Sequence, residues 1–352
     1  MRVIVTGSCG LIGSEASAFY ASKGNDVLGI DNNMRKYFFG NDGDTSRMKD
    51  YLTCSFSSYQ HGSWDLRERN SVSACLRDYQ PEFIIHTAAQ PSHDWAASEP
   101  FTDFEVNAVV TLNLLEAVRR FCPNAIFAFL STNKVYGDWP NHLALEELPT
   151  RFEYDHSLRG KGIDETLSID SCLHSLFGAS KTCADIYCQE YGKYFGLKTG
   201  VFRGGCLTGQ NHFGVKLHGY LSYLINCAVS GEKYVIYGYK GKQVRDQIHS
   251  SDVIQALESF RANPRAGEVY NIGGGYENSI SILETIAILK EKFGYTVKTD
   301  YVDQPRRGDH ICYYTNLGKF KKDYPEFSLR MSLDKILEEM VKARDNDLRK
   351  AA

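Results

Sequence analysis

Val3-Ile4-Val5-Thr6-Gly7-Ser8-Cys9-Gly10-Leu11-Ile12-Gly13, followed by Val27-Leu28-Gly29-Ile30-Asp31, is the stretch on which the fold turns. A short, uniformly apolar run such as Val3 to Val5 reads as a buried strand. Gly7, Gly10 and Gly13 then permit a tight turn, a close approach of backbone to a pyrophosphate, and close packing of the next helix, expected from about Leu11 to Ser22. That helix points its positive end at the phosphates. The second strand, Val27 to Ile30, ends in Asp31, whose carboxylate suits the two hydroxyls of a ribose and repels a 2′-phosphate. An ordinary strand-turn-helix explains the glycines and leaves Asp31 unexplained. The stretch predicts a dinucleotide cradle preferring NAD to NADP, with Gly7, Gly10, Leu11, Ile12, Gly13, Asp31 and Asn32 as cofactor contacts.

Outward from this unit the alternation continues. Helices are expected at Ser71 to Tyr79, Phe104 to Phe121 and Ala179 to Phe195, and strands at Phe83 to His86, Ala125 to Ser131 and Lys198 to Phe202. Alternating strand and helix predicts an α/β fold, a doubly wound parallel sheet of Rossmann type with helices on both faces. Ligands then bind at the carboxyl ends of the strands. The expected division is a dinucleotide-binding domain over residues 1–203 and a smaller substrate lobe over 204–352, with some strands returning to the main sheet. Val235 to Lys242 reads as a hairpin-like segment of that lobe. Its aromatics, Tyr234 to Tyr239, suit either a nucleobase stack or a core strand.

Composition narrows the classes. The chain has 352 residues, 43% of them hydrophobic, and a net charge of −3, which sets aside nucleic acid as a partner. No apolar stretch approaches the roughly 18 residues needed to cross a bilayer, and the glycine motif stands at the N-terminus with no signal peptide before it, so a soluble cytoplasmic protein is expected. Its ten cysteines are scattered without CxxC pairs or His/Cys metal spacing, which predicts reduced thiols and no metal.

Two further segments carry chemistry. Leu130-Ser131-Thr132-Asn133-Lys134-Val135-Tyr136-Gly137 follows an apolar strand and delivers a hydroxyl and two polar side chains to its end. Ser175-Leu176-Phe177-Gly178-Ala179-Ser180-Lys181 opens a helix, with positions 177 and 181 one turn apart on one face. With the glycine motif, these resemble the extended short-chain dehydrogenase/reductases, the sugar-nucleotide epimerases and dehydratases. His86-Thr87-Ala88-Ala89-Gln90, Val244-Arg245-Asp246, Asn271-Ile272-Gly273-Gly274-Gly275 and Arg306-Arg307-Gly308-Asp309 extend the resemblance over most of the chain. Ser-Thr-Asn-Lys-Val-Tyr-Gly-Asp at the strand end and Gly241-Lys242-Gln243-Val244-Arg245-Asp246 look most like the CDP-paratose 2-epimerase branch, also called CDP-tyvelose epimerases.

The resemblance implies bound NAD and a nucleotide-sugar substrate, a CDP-hexose inverted at C2 by removal and return of a hydride. It places Asp65, Leu66, Ala88, Ala89, Gln90, Asn107, Ser131 and Lys181 at the cofactor, and Thr132 at the reacting oxygen. Asn133, Lys134, Arg203, Cys206, Arg245 and Arg306 fall at the substrate; Cys206 stands where relatives place an asparagine. It also implies a homodimer paired through the helices Phe104 to Phe121 and Ala179 to Phe195. The departure is Phe177, where the family has its catalytic tyrosine. A phenyl ring has no proton to exchange, and acid–base help is worth about 10²–10⁴ in rate. His174, with Asp170 to orient it, is the expected substitute base, with Tyr136, Cys172 and His93 as alternatives. A dehydrogenase or dehydratase of the same family, and a non-catalytic binding protein marked by Phe177, are the competing readings. Asn133-Lys134 argues against dehydration, which needs an acidic pair beside the hydroxyl residue.

Overall fold

A computed structural model describes residues 1–211, 214, 219–306 and 308–351, excluding the side chains of 347–351. His212, His218 and Arg307 lie outside the described residues. The chain falls into two compact units, each built from several segments: residues 1–135, 175–204 and 253–270 in the first, and 136–174, 205–252 and 271–352 in the second. Residues 136–174, expected in the dinucleotide-binding domain, thus belong to the second unit, and 253–270 to the first. The chain crosses between units repeatedly, which no local composition shift marks.

In chain order the first half forms β1 (Arg2–Thr6), α1 (Leu11–Ser22), β2 (Asp26–Ile30), α2 (Met34–Phe39), α3 (Ser46–Ser55), β3 (Tyr59–Gly62), α4 (Arg69–Tyr79), β4 (Phe83–His86), α5 (His93–Ser98), α6 (Pro100–Phe104), α7 (Val110–Phe121) and β5 (Ile126–Thr132). Next come α8 (Trp139–His142), β6 (Leu145–Glu147), β7 (Phe152–Tyr154), α9 (Ser175–Phe195), β8 (Lys198–Gly204), β9 (Cys206–Thr208), α10 (Tyr220–Ser230), β10 (Lys233–Tyr237), β11 (Val244–His249), α11 (Ser250–Ala262) and β12 (Glu268–Ile272). The remainder is β13 (Ser279–Ser281), α12 (Ile282–Phe293), β14 (Lys298–Val302), β15 (Cys312–Tyr313), α13 (Gly318–Asp323) and α14 (Leu333–Ala351).

The first unit is organised by a seven-stranded sheet of order β12-β8-β5-β4-β1-β2-β3. Its strands from β8 to β3 are parallel. The order reverses between β1 and β4, the switch point of a doubly wound sheet, where the carboxyl ends of neighbouring strands leave a crevice. Its core joins Ile4, Leu28, Ile84, Phe127 and Val201 from the strands to Leu114, Val118 and Cys188 from the helices. The expected helix Phe104 to Phe121 is interrupted: residues Glu105–Val109 form a π turn holding Asn107. Such turns recur at functional sites.

In the second unit β11 is fully buried and pairs with β13, β15 and β9. The hairpin expected over Val235 to Lys242 does not form, because β10 pairs in parallel with β14, more than sixty residues away. Tyr234 lies in a second apolar core with Leu224, Ile236, Ile280 and Leu337. It is a core aromatic, not a free stacking surface.

Candidate active site

The cradle is built by β1, β2 and the turns that follow them. Gly7 has φ +66°, and a Cβ there would stand 2.8 Å from the Ala88 amide nitrogen. At Gly13 a Cβ would meet the Gly7 carbonyl oxygen at 2.0 Å. Both positions exclude a side chain, so the turn folds tightly under the N-terminus of α1. The amide of Gly10 closes the turn on the Gly7 carbonyl, and Ser14 makes the first helical bond to Gly10. Leu11, Ile12 and Gly13 therefore present first-turn amides that lack helical acceptors. No acidic side chain occupies that first turn.

Asp31 ties this turn to the next. Its carboxylate accepts the amide of Cys9 at 3.0 Å and that of Asn33 at 2.8 Å. Asn32, beside it, is exposed. Past the end of β2, an apolar pocket is lined by Ile30, Trp64, Leu66, Val72, Cys75 and Leu76. Asp65, next to Leu66 in the chain, is held by the Arg67 guanidinium, which keeps its carboxyl below the usual range.

Ala88, partly exposed like Ala89, stands opposite Gly7. Beneath them His86 is clamped between the hydroxyls of Thr6 at 2.7 Å and Thr111 at 3.0 Å. Burial pushes its pKa down to about 3, so the ring is neutral and structural. Gln90, expected at the cofactor, is fully buried, and its amide is occupied by Ser92 and Asp103. Asn107 joins the same network, donating to the Gln90 carbonyl, Asp103 and Ser180. A buried amide needs its full set of partners. The sequence marked Gln90 and Asn107 singly; Asp103 was missed, because nothing local distinguishes it from a surface aspartate.

At the end of β5, Ser131 donates to Asp185 at 2.6 Å, and Thr132 remains partly exposed, its Oγ1 accepting the Lys134 amide at 3.2 Å. Asn133 is buried and Lys134 partly so. On α9, Lys181 is 3% exposed, donates to the Leu130 carbonyl at 2.8 Å, and lies 4.1 Å from the centroid of the Phe129 ring. Desolvation lowers its pKa to about 8. Phe177, one turn earlier, is buried, and the His93 ring packs on it. Arg203 departs from expectation. It is 4% exposed and its guanidinium forks onto Asp185, at 3.0 and 2.9 Å, because a buried charge requires a partner.

In the second unit, His174 does not present a disengaged ring. Its Nε2 lies 2.8 Å from the Ile169 carbonyl and 3.4 Å from the Cys172 sulfur, within its own loop. Tyr136 is fully buried and donates to Asn271 at 2.7 Å. Burial also raises the Cys172 thiol. Arg245 is 7% exposed and bound to Asp309 and to the His310 carbonyl, both at 2.5 Å, so its charge is already paired. Arg306 stacks over Tyr237 at 4.5 Å. Cys206 pairs with Gln247 in the β9–β11 ladder. No group of three metal-ligating side chains occurs among the described residues, and no helix there is long and apolar enough to cross a membrane.

A glycine cradle under α1, an acid after β2 that closes the glycine turn, and a lysine buried against the end of β5 define an extended short-chain dehydrogenase/reductase. The chain belongs to the NAD dependent epimerase/dehydratase family, whose model matches residues 3–273. Among its relatives is the CDP-paratose 2-epimerase of Salmonella typhi, 35% identical over 298 residues, covering 83% of this chain and 84% of that protein. The dTDP-glucose 4,6-dehydratase of Salmonella typhimurium is 28% identical over 339 residues, 92% of this chain and 87% of that one. The fold is shared with the UDP-glucose 4-epimerase of Thermus thermophilus solved with NAD, at a TM-score of 0.78 and 24% identity over 98% of this chain and 99% of that one.

Proposed function

We propose that the protein is an NAD-dependent epimerase of a nucleotide-activated hexose, a CDP-sugar inverted at C2. The observation that carries this reading is the strand end Thr132-Asn133-Lys134 together with buried Lys181, which supply a hydroxyl and a lysine without the acidic pair that dehydration requires. Similarity to a CDP-paratose 2-epimerase over most of both chains supports the nucleotide and the carbon.

The turn from Gly7 to Gly13 and the first amides of α1 hold the pyrophosphate. Asp31 would accept the adenosine ribose hydroxyls, and Asp65 and Leu66 would contact the adenine. Bound NAD supplies a nicotinamide ring that takes a hydride and gives it back. Lys181 would donate to the nicotinamide ribose, and in a dry setting its charge would act more strongly than in water. Thr132 holds the reacting oxygen of the sugar. Asn133, Lys134, Cys206, Arg245 and Arg306 serve the nucleotide sugar, with Arg306 better disposed than Arg245 to meet phosphate because Asp309 already neutralises the latter. We assign Arg203, Gln90 and Asn107 to support of the site.

Action in the cytosol fits ten free cysteines, which persist reduced there. A second copy fits the exposed apolar side chains of α9, Ile186, Tyr187, Tyr194 and Phe195. Phe177 favours a second reading, a protein that binds NAD and a sugar nucleotide without turnover. The test is incubation with CDP-, UDP-, GDP- and dTDP-hexoses in deuterated water. An epimer formed without net NADH and without deuterium at carbon is expected. Absence of turnover with every sugar, while NAD is bound, overturns the epimerase reading in favour of the second.

A further inference from the structure

The function above leaves the proton without a carrier, since Phe177 replaces the tyrosine and the His174 ring is engaged by its own loop. The first unit holds another imidazole against Phe177. His93 opens α5, and its ring meets that of Phe177 edge-on, with centroids 5.1 Å apart and planes at 80°. Its Nδ1 stands 2.7 Å from the Ser175 hydroxyl oxygen. That same oxygen accepts the Gly178 amide at 3.2 Å. Ser175 adopts φ +60°, a conformation that side chains rarely take. A strained serine at the head of the helix carrying Phe177 and Lys181 thus engages the histidine.

His93 is also fixed from behind. The preceding residue, Ser92, is held by the Gln90 side chain through both its amide, at 2.5 Å, and its carbonyl, at 2.9 Å. Through Asn107 that network ends on Ser180 of α9. The buried polar cluster therefore couples the position of His93 to the helix bearing Phe177. His93 itself remains partly exposed, as proton exchange with a substrate requires.

We propose that His93, oriented by Ser175, is the proton-transfer group standing in for a phenol at position 177; the assignment rests on the epimerase reading. In the forward step the O–H bond at the reacting carbon breaks and its proton forms an N–H bond on the imidazole. The oxygen's electrons would form the C=O bond as the C–H pair departs as hydride, which NAD, when bound, would accept. On return of that hydride to the opposite face of the carbonyl, the imidazolium would give its proton back to the oxygen. An imidazole takes and releases a proton near neutrality, which a phenyl ring does not do.

The experiment pairs kinetics with a readout independent of turnover. His93→Asn is expected to lower kcat by about 10²–10⁴ while calorimetric affinities for NAD and CDP stay unchanged. Adding Phe177→Tyr to that variant, or imidazole to His93→Gly, is expected to recover at least about tenfold. Separately, carbethoxylation of His93 in the wild-type protein, read by peptide mass, is expected to slow when NAD and CDP are bound. Unchanged kcat in His93→Asn overturns the proposal, as does a loss that neither rescue recovers. If the wild-type protein epimerises no sugar nucleotide, the functional reading fails by itself. Carbethoxylation then decides His93: protection supports its place at the site, and no protection overturns it. The same readout serves if His93→Asn fails to fold.

Discussion

The glycine cradle and the face of α9 lie in the same unit, yet they are built in opposite ways. The cradle's turn is made within one short run of chain, Gly7 to Gly13, closed by the Asp31 carboxylate just beyond it. The α9 face is assembled from distance. Lys181 meets Leu130, Phe177 and Ser175 meet His93, and Arg203 meets Asp185. The cradle rests on the absence of side chains, because Cβ atoms would fill it, whereas the α9 face rests on charges and polar groups buried with chosen partners. Disrupting the first should act on ligand binding first, and disrupting the second on folding stability.

Asp185→Ala gives the sharpest break on the α9 side. It strands the Arg203 guanidinium, 4% exposed, and removes the acceptor of Ser131. The expected cost is about 3–5 kcal/mol, measured by urea unfolding. On the cradle side, Gly13→Val sets side-chain atoms against the Gly7 carbonyl. Displacing the turn is expected to lower NAD affinity about a hundredfold by calorimetry, with an overpacking cost to folding of about 1–3 kcal/mol, below that of Asp185→Ala. Equal stability losses in the two variants would erase the contrast.

Lys181→Met sharpens it further. Burial lowers the lysine pKa from 10.5 to about 8, so between those values the unfolded chain binds more protons than the folded one. Stability then rises with pH across that window, and at neutral pH the buried charge is a net cost. Removing it is expected to stabilise the fold by about 2 kcal/mol at pH 7, allowing for the lost bond to Leu130. The gain should shrink from pH 8 towards 10.5, while any catalysis is lost. A gain independent of pH would show that the ammonium is not desolvated in the folded chain.

The strands and helices of the sheet were legible because each satisfies a local rule: apolar runs of four or five residues, a glycine turn, an apolar face at helical spacing. Asp31 stands out for the same reason, as it lies at a fixed distance along the chain from the glycines, and the structure adds its bond to the Cys9 amide. Arg203 was misread because an arginine at a strand end looks alike whether it faces a ligand or a buried aspartate; only the position of Asp185, one helix away, decides between them. The hairpin expected near Val235 failed for a related reason. A strand's alternation fixes which face it buries but not its partner, and β14 won the edge of β10.

The sequence by itself determined the doubly wound sheet, the nucleotide cradle, the family and the absence of a phenol at position 177, since all of these are set by residue identity and short spacing. The tertiary structure alone decided which polar groups face inward. It paired Arg203 with Asp185, turned His174 onto Ile169, closed Arg245 onto Asp309 and brought His93 across 82 residues of chain to Ser175. The physical reason is desolvation: a charge or hydrogen-bonding group leaving water must find a partner, and that partner is chosen by packing in space and not by order along the chain.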